Sequence, residues 1–246
     1  MITKEELFED LKKCHLTEPL HFMNFEDQIY PLIKKYGETI FIAHGVSRGV
    51  IVPIESDFVI KIPFSHTVDE DSSWETWEEV IEDYGSEENA LKDDFWQDDD
   101  GYYYPTCPMQ FGDYCKMEVE IYHHAQEEGL EEVFAAEEKL GEINDFSIYY
   151  QVKAESFEYH SSSSVNSTDP QKLENAKTVI DSYQNDNGAY IFNKTWLADV
   201  LITFGREYLE RLFNFLNQEN ISDLHRGNLG YIDTIPVIFD YASFDG

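Results

Sequence analysis

The stretch on which the fold reading turns runs from Asn220 to Gly246: N-I-S-D-L-H-R-G-N-L-G-Y-I-D-T-I-P-V-I-F-D-Y-A-S-F-D-G. Asp223 and Asn228 stand five positions apart, and Asp240 closes the β-prone apolar run Pro236 to Phe239. A carboxylate, an amide and a second carboxylate are hard oxygen donors. Mg²⁺ takes such donors when one or two carboxylates and substrate phosphates hold it. Asp and Asn beside Gly are also ordinary turn residues, so the spacing gains weight only with what precedes it.

D-L-H-R-G-N resembles the D-L-H-x-G-N segment of aminoglycoside and choline phosphotransferases, and is similar to the catalytic loop of protein kinases. I-F-D-Y looks like the I-D-[WFY] or D-F-G segment that supplies the second metal ligand in those enzymes. The resemblance is to the protein-kinase-like superfamily, minimal bacterial or phage members included. It implies an α+β, two-lobed fold with an antiparallel N-lobe sheet and a truncated helical C-lobe. It also implies ATP and Mg²⁺, with Asp223 orienting or deprotonating an acceptor hydroxyl and Asn228 and Asp240 on the metal. Three features depart from the pattern. Ile221 stands where a kinase loop has His, Ala242 stands where D-F-G has Gly, and only residues 241–246 follow Asp240. Docking of a protein substrate in the usual kinase manner is therefore not implied, and the acceptor stays unnamed.

Upstream, T-I-F-I-A-H, V-I-V-P-I and F-V-I-K-I read as successive strands. Between the first two lies Gly45-Val46-Ser47-Arg48-Gly49. Gly45, Ser47 and Gly49 suit either close backbone approach to a phosphate or a plain hairpin turn. In the third strand, alternation puts Val59 and Lys61 on one face and Phe58, Ile60 and Ile62 on the other. Lys61 is then either a strand lysine in water or, as the resemblance implies, the lysine that contacts the phosphates. A helix is expected from about Asp113 to Glu128, ended by Gly129. Glu118 shares its apolar face with Tyr114, Ile121 and Ala125, whereas Glu120 sits with Lys116 and His124. The resemblance implies a glutamate partner for Lys61: Glu118, with Glu120 in reserve. Two strands around Asn144-Asp145 would complete a five-stranded sheet, with Q-V-K-A after it as the hinge.

These readings divide the chain into an N-terminal helical extension, 1–37, an N-lobe, 38–154, and a minimal C-lobe, 155–246. The extension carries helices at Thr3 to Lys13, with Thr3 and Glu6 as a capping box, and at about Glu26 to Tyr36. Both should pad the sheet. An acidic insertion occupies about 66–112. Between His66 and Asp100 it holds fifteen Asp and Glu against one Lys. Trp74, Trp77 and Ile81 there recur at helical spacing, and Tyr102 to Gly112 reads as a connector. In the C-lobe, His160 to Pro170 reads as a loop and Leu173 to Ser182 as a short helix. Trp196 to Gln218 reads as one long helix.

Composition bounds the function. Hydrophobic residues make up 42% and aromatics 15%, enough for a sizeable core. Seventeen Lys and Arg against fifty Asp and Glu give a formal charge of −33. Such a surface repels nucleic acid and anionic membranes and favours a basic protein partner. The alternative function is thus a non-catalytic, pseudokinase-type acidic binding protein, or a nucleic-acid mimic. Cys14, Cys107 and Cys115 are odd in number and lack C-x-x-C spacing, which argues against disulfides and zinc. A charged beginning and the lack of a ~20-residue apolar run point away from a signal peptide or membrane helix, toward the cytoplasm.

Overall fold

A computed structural model describes residues 2–110, 112–157, 169–186, 193–222 and 224–242. In chain order, α1 (Lys4–Leu11), α2 (Phe25–Gln28) and α3 (Tyr30–Tyr36) precede strands β1 (Ile40–His44), β2 (Arg48–Pro53) and β3 (Phe58–Pro63). The insertion holds β4 (His66–Val68), α4 (Trp77–Tyr84), α5 (Glu87–Ala90), β5 (Asp94–Gln97) and β6 (Tyr103–Pro108). Then come α6 (Tyr114–Glu127), β7 (Glu137–Ile143), β8 (Phe146–Val152) and β9 (Glu155–Ser156). Helices α7 (Pro170–Asp186), α8 (Lys194–Phe204) and α9 (Arg206–Gln218) lead to the hairpin β10 (Leu229–Ile232) and β11 (Ile235–Ile238). The fold is α+β, and every strand pairing within its sheets that has a described register is antiparallel.

The chain forms two compact units, residues 1–115 with 139–150, and residues 116–138 with 151–246. The first is built on a five-stranded sheet ordered β1-β2-β3-β8-β7. Asn144 and Asp145 turn β7 into β8 with φ of 47° and 71°. Short polar side chains tolerate that left-handed region, and a tight hairpin requires it. One sheet face is covered by the N-terminal helices. Leu7, Leu11, Phe25, Ile29 and Leu32 pack with Ile51, Ile60, Ile62 and Ile148 in one buried cluster. Thr3 caps α1 as its sequence predicts: its hydroxyl accepts from Glu6 N at 3.1 Å, and the Glu6 carboxylate accepts from Thr3 N at 3.0 Å. The expected helix 26–36 is instead two pieces that meet at Ile29, with Pro31 in the first turn of α3, where it has no N–H to lose.

Two glycines of this sheet are sockets. A Cβ on Gly49 would lie 2.2 Å from the Phe25 ring, and one on Gly141 would lie 2.4 Å from the Phe8 ring. Each ring from the N-terminal segment thus fills the space that a side chain on the strand would need.

The acidic insertion has a core of its own, which its composition had not suggested. Trp74 lies outside the helix predicted for it and bridges to Tyr103, and the expected connector forms β6. β4, β6 and β5 make a three-stranded sheet. The Phe95 ring meets Trp74, Trp77 and Tyr84 edge-on at 6.0, 5.4 and 5.7 Å, and Trp77 meets Tyr103 at 5.6 Å. Such pairs add to their area burial through ring quadrupoles. Helix α4 starts on a second capping box, Thr76 with Glu79.

In the second unit, the predicted helix 196–218 is broken. Gly205, at φ 87°, ends α8 and begins α9, a conformation that side-chain-bearing residues rarely adopt. Helix α7 is longer than the expected 173–182, and most of the expected loop 160–170 lies outside the described residues. The core gathers Trp196, Leu197 and Val200 of α8 with Leu209, Leu212 and Leu216 of α9 and with Leu229, Tyr231 and Ile238 of the hairpin.

Phe95→Ala should remove the ring at the centre of the insertion. Because Phe95 is half-buried, the cost should be near the low end for Phe→Ala, about 3 kcal/mol, and local to residues 66–110. The expected outcome is a partial loss of near-ultraviolet tryptophan dichroism, the buried Trp196 keeping its share, with the main thermal transition retained.

Candidate functional site

The β10–β11 register determines where the two expected metal-binding residues fall. Leu229 faces Ile238 and Ile232 faces Ile235 across the hairpin. The next step outward brings Phe239 N to donate to Asn228 O at 3.0 Å. Asn228 and Asp240 therefore stand at the same open end of one hairpin, Asn228 buried and Asp240 half-buried. Asn228 belongs to a short 3-10 turn, Arg226–Asn228, whose preceding His225 accepts from Gly227 N through Nδ1 at 2.9 Å. Gly230 lets the third strand approach: a Cβ there would lie 2.4 Å from the Glu155 carbonyl oxygen. The hairpin is held from the helices by Trp196 Nε1, which donates to Gly230 O at 3.1 Å, and by the Tyr231 hydroxyl on Asp199 Oδ2 at 2.6 Å. Burial and the Asp199 charge push the Tyr231 phenol well above its usual range, so it stays a donor. Asp223, the expected catalytic residue, lies outside the described residues.

Directly after Asp240, the Tyr241 backbone N–H donates to Glu118 Oε1 at 2.9 Å. Glu118 is fully buried on α6, whereas Glu120 is exposed and pairs with Lys116 at 3.7 Å. Of the two glutamates weighed from the sequence, Glu118 is the inward one. A second carboxylate, Glu137 on β7, is also fully buried, and the two groups have oxygens within 4.8 Å of one another. Gln151 Nε2 donates to Glu137 Oε2 at 2.9 Å. Burial, reinforced by the Glu137 and Glu118 charges, drives the Tyr241 phenol far above its usual value, and its hydroxyl donates to Ala135 O at 3.1 Å. Sequence reasoning missed Glu137 because one Glu among E-E-K carries no periodic signal. The flanking Ala135 and Ala136, at the mouth of a strand, were the hint available.

In the first unit, Lys61 is only 4% exposed, so it is not the solvent-facing strand lysine that the sequence left open. It faces Val50 across β2–β3, and Val50 faces Ala43 across β1–β2. Alternation therefore places an apolar strip of Ala43, Val50 and Val59 on the lysine's face of the sheet. In the turn, Gly45 N donates to Arg48 O at 3.0 Å, and nothing lies within 4 Å of a Cβ built on Gly45. Gly49 is occupied from behind by Phe25. Ser47 is buried and accepts from Arg48 Nε at 3.3 Å. Arg48 is itself buried, and its charge acts on the Tyr114 phenol. The expected site residues therefore differ in setting: Gly45 is open, whereas Ser47, Gly49 and Lys61 are packed in.

Two comparisons of variants test these placements. Glu118→Gln should destabilise by about 1–3 kcal/mol, since it weakens a buried charge-assisted bond, while Glu120→Gln should stay within about 0.5 kcal/mol. Gly49→Ala should cost about 1–3 kcal/mol by overpacking against Phe25, and Gly45→Ala should leave the melting temperature nearly unchanged. Denaturant unfolding measures the free-energy changes, and a thermal melt the Gly45→Ala comparison.

In comparisons with known proteins, no protein-family model, no curated protein and no solved structure matches the chain.

Proposed function

We propose that the protein is an ATP- and Mg²⁺-dependent phosphotransferase of kinase-like, two-lobed fold with an unidentified acceptor. The observation that carries the reading is the hairpin register that brings Asn228 and Asp240 to one end of β10–β11. An amide oxygen and a carboxylate there fit the hard-donor preference of Mg²⁺. The strand order β1-β2-β3-β8-β7, with α6 between the third strand and β7, also suits an N-lobe.

Each part of the chain has a role in this reading. Asn228 and Asp240 would hold the ion, which supplies charge neutralisation on the nucleotide phosphates. Lys61 contributes a positive charge for the phosphates from a largely buried strand position. Glu118, fixed by the Tyr241 N–H, supplies a buried carboxylate on α6. Gly45 leaves open space at the turn for a phosphate, and Asp223 accepts or orients the acceptor proton. Catalysis of this kind is mostly positioning and electrostatics, and on a chain of formal charge −33 an anionic nucleotide depends on the local positive charge of Lys61 and the ion.

A second reading is favoured by one observation: the insertion folds around its own aromatic core yet carries a large excess of carboxylates. In that reading the protein is a pseudokinase-type binding protein that engages a basic partner, or mimics nucleic acid.

A thermal-shift titration separates the two. Mg-ATP should raise the melting temperature of the wild type, by an amount equivalent to about 2.7 kcal/mol at a hundred times Kd. ATP with EDTA should do less, and Asp240→Ala should lose the Mg²⁺-dependent part. No shift at millimolar Mg-ATP overturns the phosphotransferase reading and leaves the salt-sensitive binding protein.

A further inference from the structure

His21 is fully buried between the N-terminal segment and the inserted sheet. Its ring meets the Trp96 indole on β5 edge-on, at 4.8 Å and 74°. The junction is stitched beside it. Ser65 N and His66 N both donate to Leu20 O, at 2.9 and 3.1 Å, and Leu20 N donates to Ser65 Oγ at 2.9 Å.

The hydrogen bonds around His21 accept only one protonation state. Asn24 is fixed by two backbone bonds: its Nδ2 donates to Pro19 O at 2.8 Å, and its Oδ1 accepts from His21 N at 3.1 Å. That orientation turns an amide N–H toward His21 Nε2, 3.2 Å away, so Nε2 acts as the acceptor and the ring proton sits on Nδ1. Nδ1 is buried and has no hydrogen-bond partner among the described residues. A proton added at Nε2 would face the Asn24 N–H donor against donor. Rotating the Asn24 amide to accept it would sacrifice both backbone bonds.

We propose that His21 is an acid-operated latch: uptake of one proton by its imidazole releases the inserted sheet, at Trp96, from the N-terminal segment. His66 on β4 is the titratable group that weighs on His21, and its charge opposes a second positive charge. Asn24 and Trp96, which contact the ring, do not titrate. Burial first, and His66 second, pull the His21 pKa down to about 4, whereas an unfolded histidine titrates near 6.5. The closed form is therefore fully favoured above about pH 6.5 and loses ground as the pH falls toward 4. At pH 4 the opening equilibrium should have shifted by roughly 150-fold relative to neutral pH, about half of its low-pH limit.

The test follows the full-length wild type and His21→Gln from pH 7.5 to 4 by the Trp96 indole N–H resonance and by far-ultraviolet dichroism. The wild type should lose the native Trp96 signal within this window while its backbone dichroism persists, and His21→Gln should lack that step. An identical step in both proteins would assign it to groups other than His21, His66 and the carboxylates included, and overturn the latch. If His21→Gln fails to fold, the wild-type His21 ring resonances decide: a pKa well below 6.5 supports the latch, and one at or above 6.5 sinks it.

Discussion

The second unit depends on the hydrogen bond between the Tyr241 backbone N–H and the Glu118 carboxylate. A carboxylate removed from water is costly unless a donor meets it, and a backbone N–H is a donor that cannot rotate away. The bond fixes the chain immediately after Asp240, so the open end of β10–β11 is tied to α6. The Tyr241 ring completes the anchor by meeting Phe134 edge-on at 5.2 Å and bonding Ala135 O. Glu137 is a second buried carboxylate, with an oxygen within 4.8 Å of one on Glu118. Tyr241 belongs to the same buried apolar cluster as Trp196, Tyr231 and Phe157.

Short-range signals were legible in the sequence because the structure satisfies them locally. Thr3 with Glu6, the Asn144-Asp145 turn and the alternation about Lys61 each involve neighbours within a few residues. Helix breaks were harder to read. Gly205 sits inside an unbroken apolar periodicity, and its φ of 87° is a backbone choice that periodicity does not reveal. Long-range burial was harder still. That Gly49 would house Phe25 and that Glu118 would meet Tyr241 N depend on residues 24 and 123 positions away. The hairpin register was accessible only in part: the apolar run Pro236 to Phe239 gave a strand, but the pairing of Leu229 with Ile238 required the fold.

The insertion shows how a strongly charged segment can still fold. Like charges repel, yet nearly all its carboxylates are exposed, and Glu78, Glu79, Glu87 and Glu88 sit at helix starts, where they suit the positive end of the helix dipole. The aromatic rings take the opposite side. Segregating charge to the rim and rings to the centre explains why a mean composition reading missed the small sheet.

The two glycine sockets bear on the order in which the chain can assemble during synthesis. Phe8 and Phe25 are made well before Gly141, but Phe8 fits against Gly141, and β8 must enter between β3 and β7 before the sheet is whole. At about 5–20 residues per second, the helices of the first thirty-six residues wait several seconds for their sheet. During that interval their apolar faces have no native cover. The finished first unit covers them at Leu7, Leu11, Phe25, Ile29 and Leu32, all at most 1% exposed.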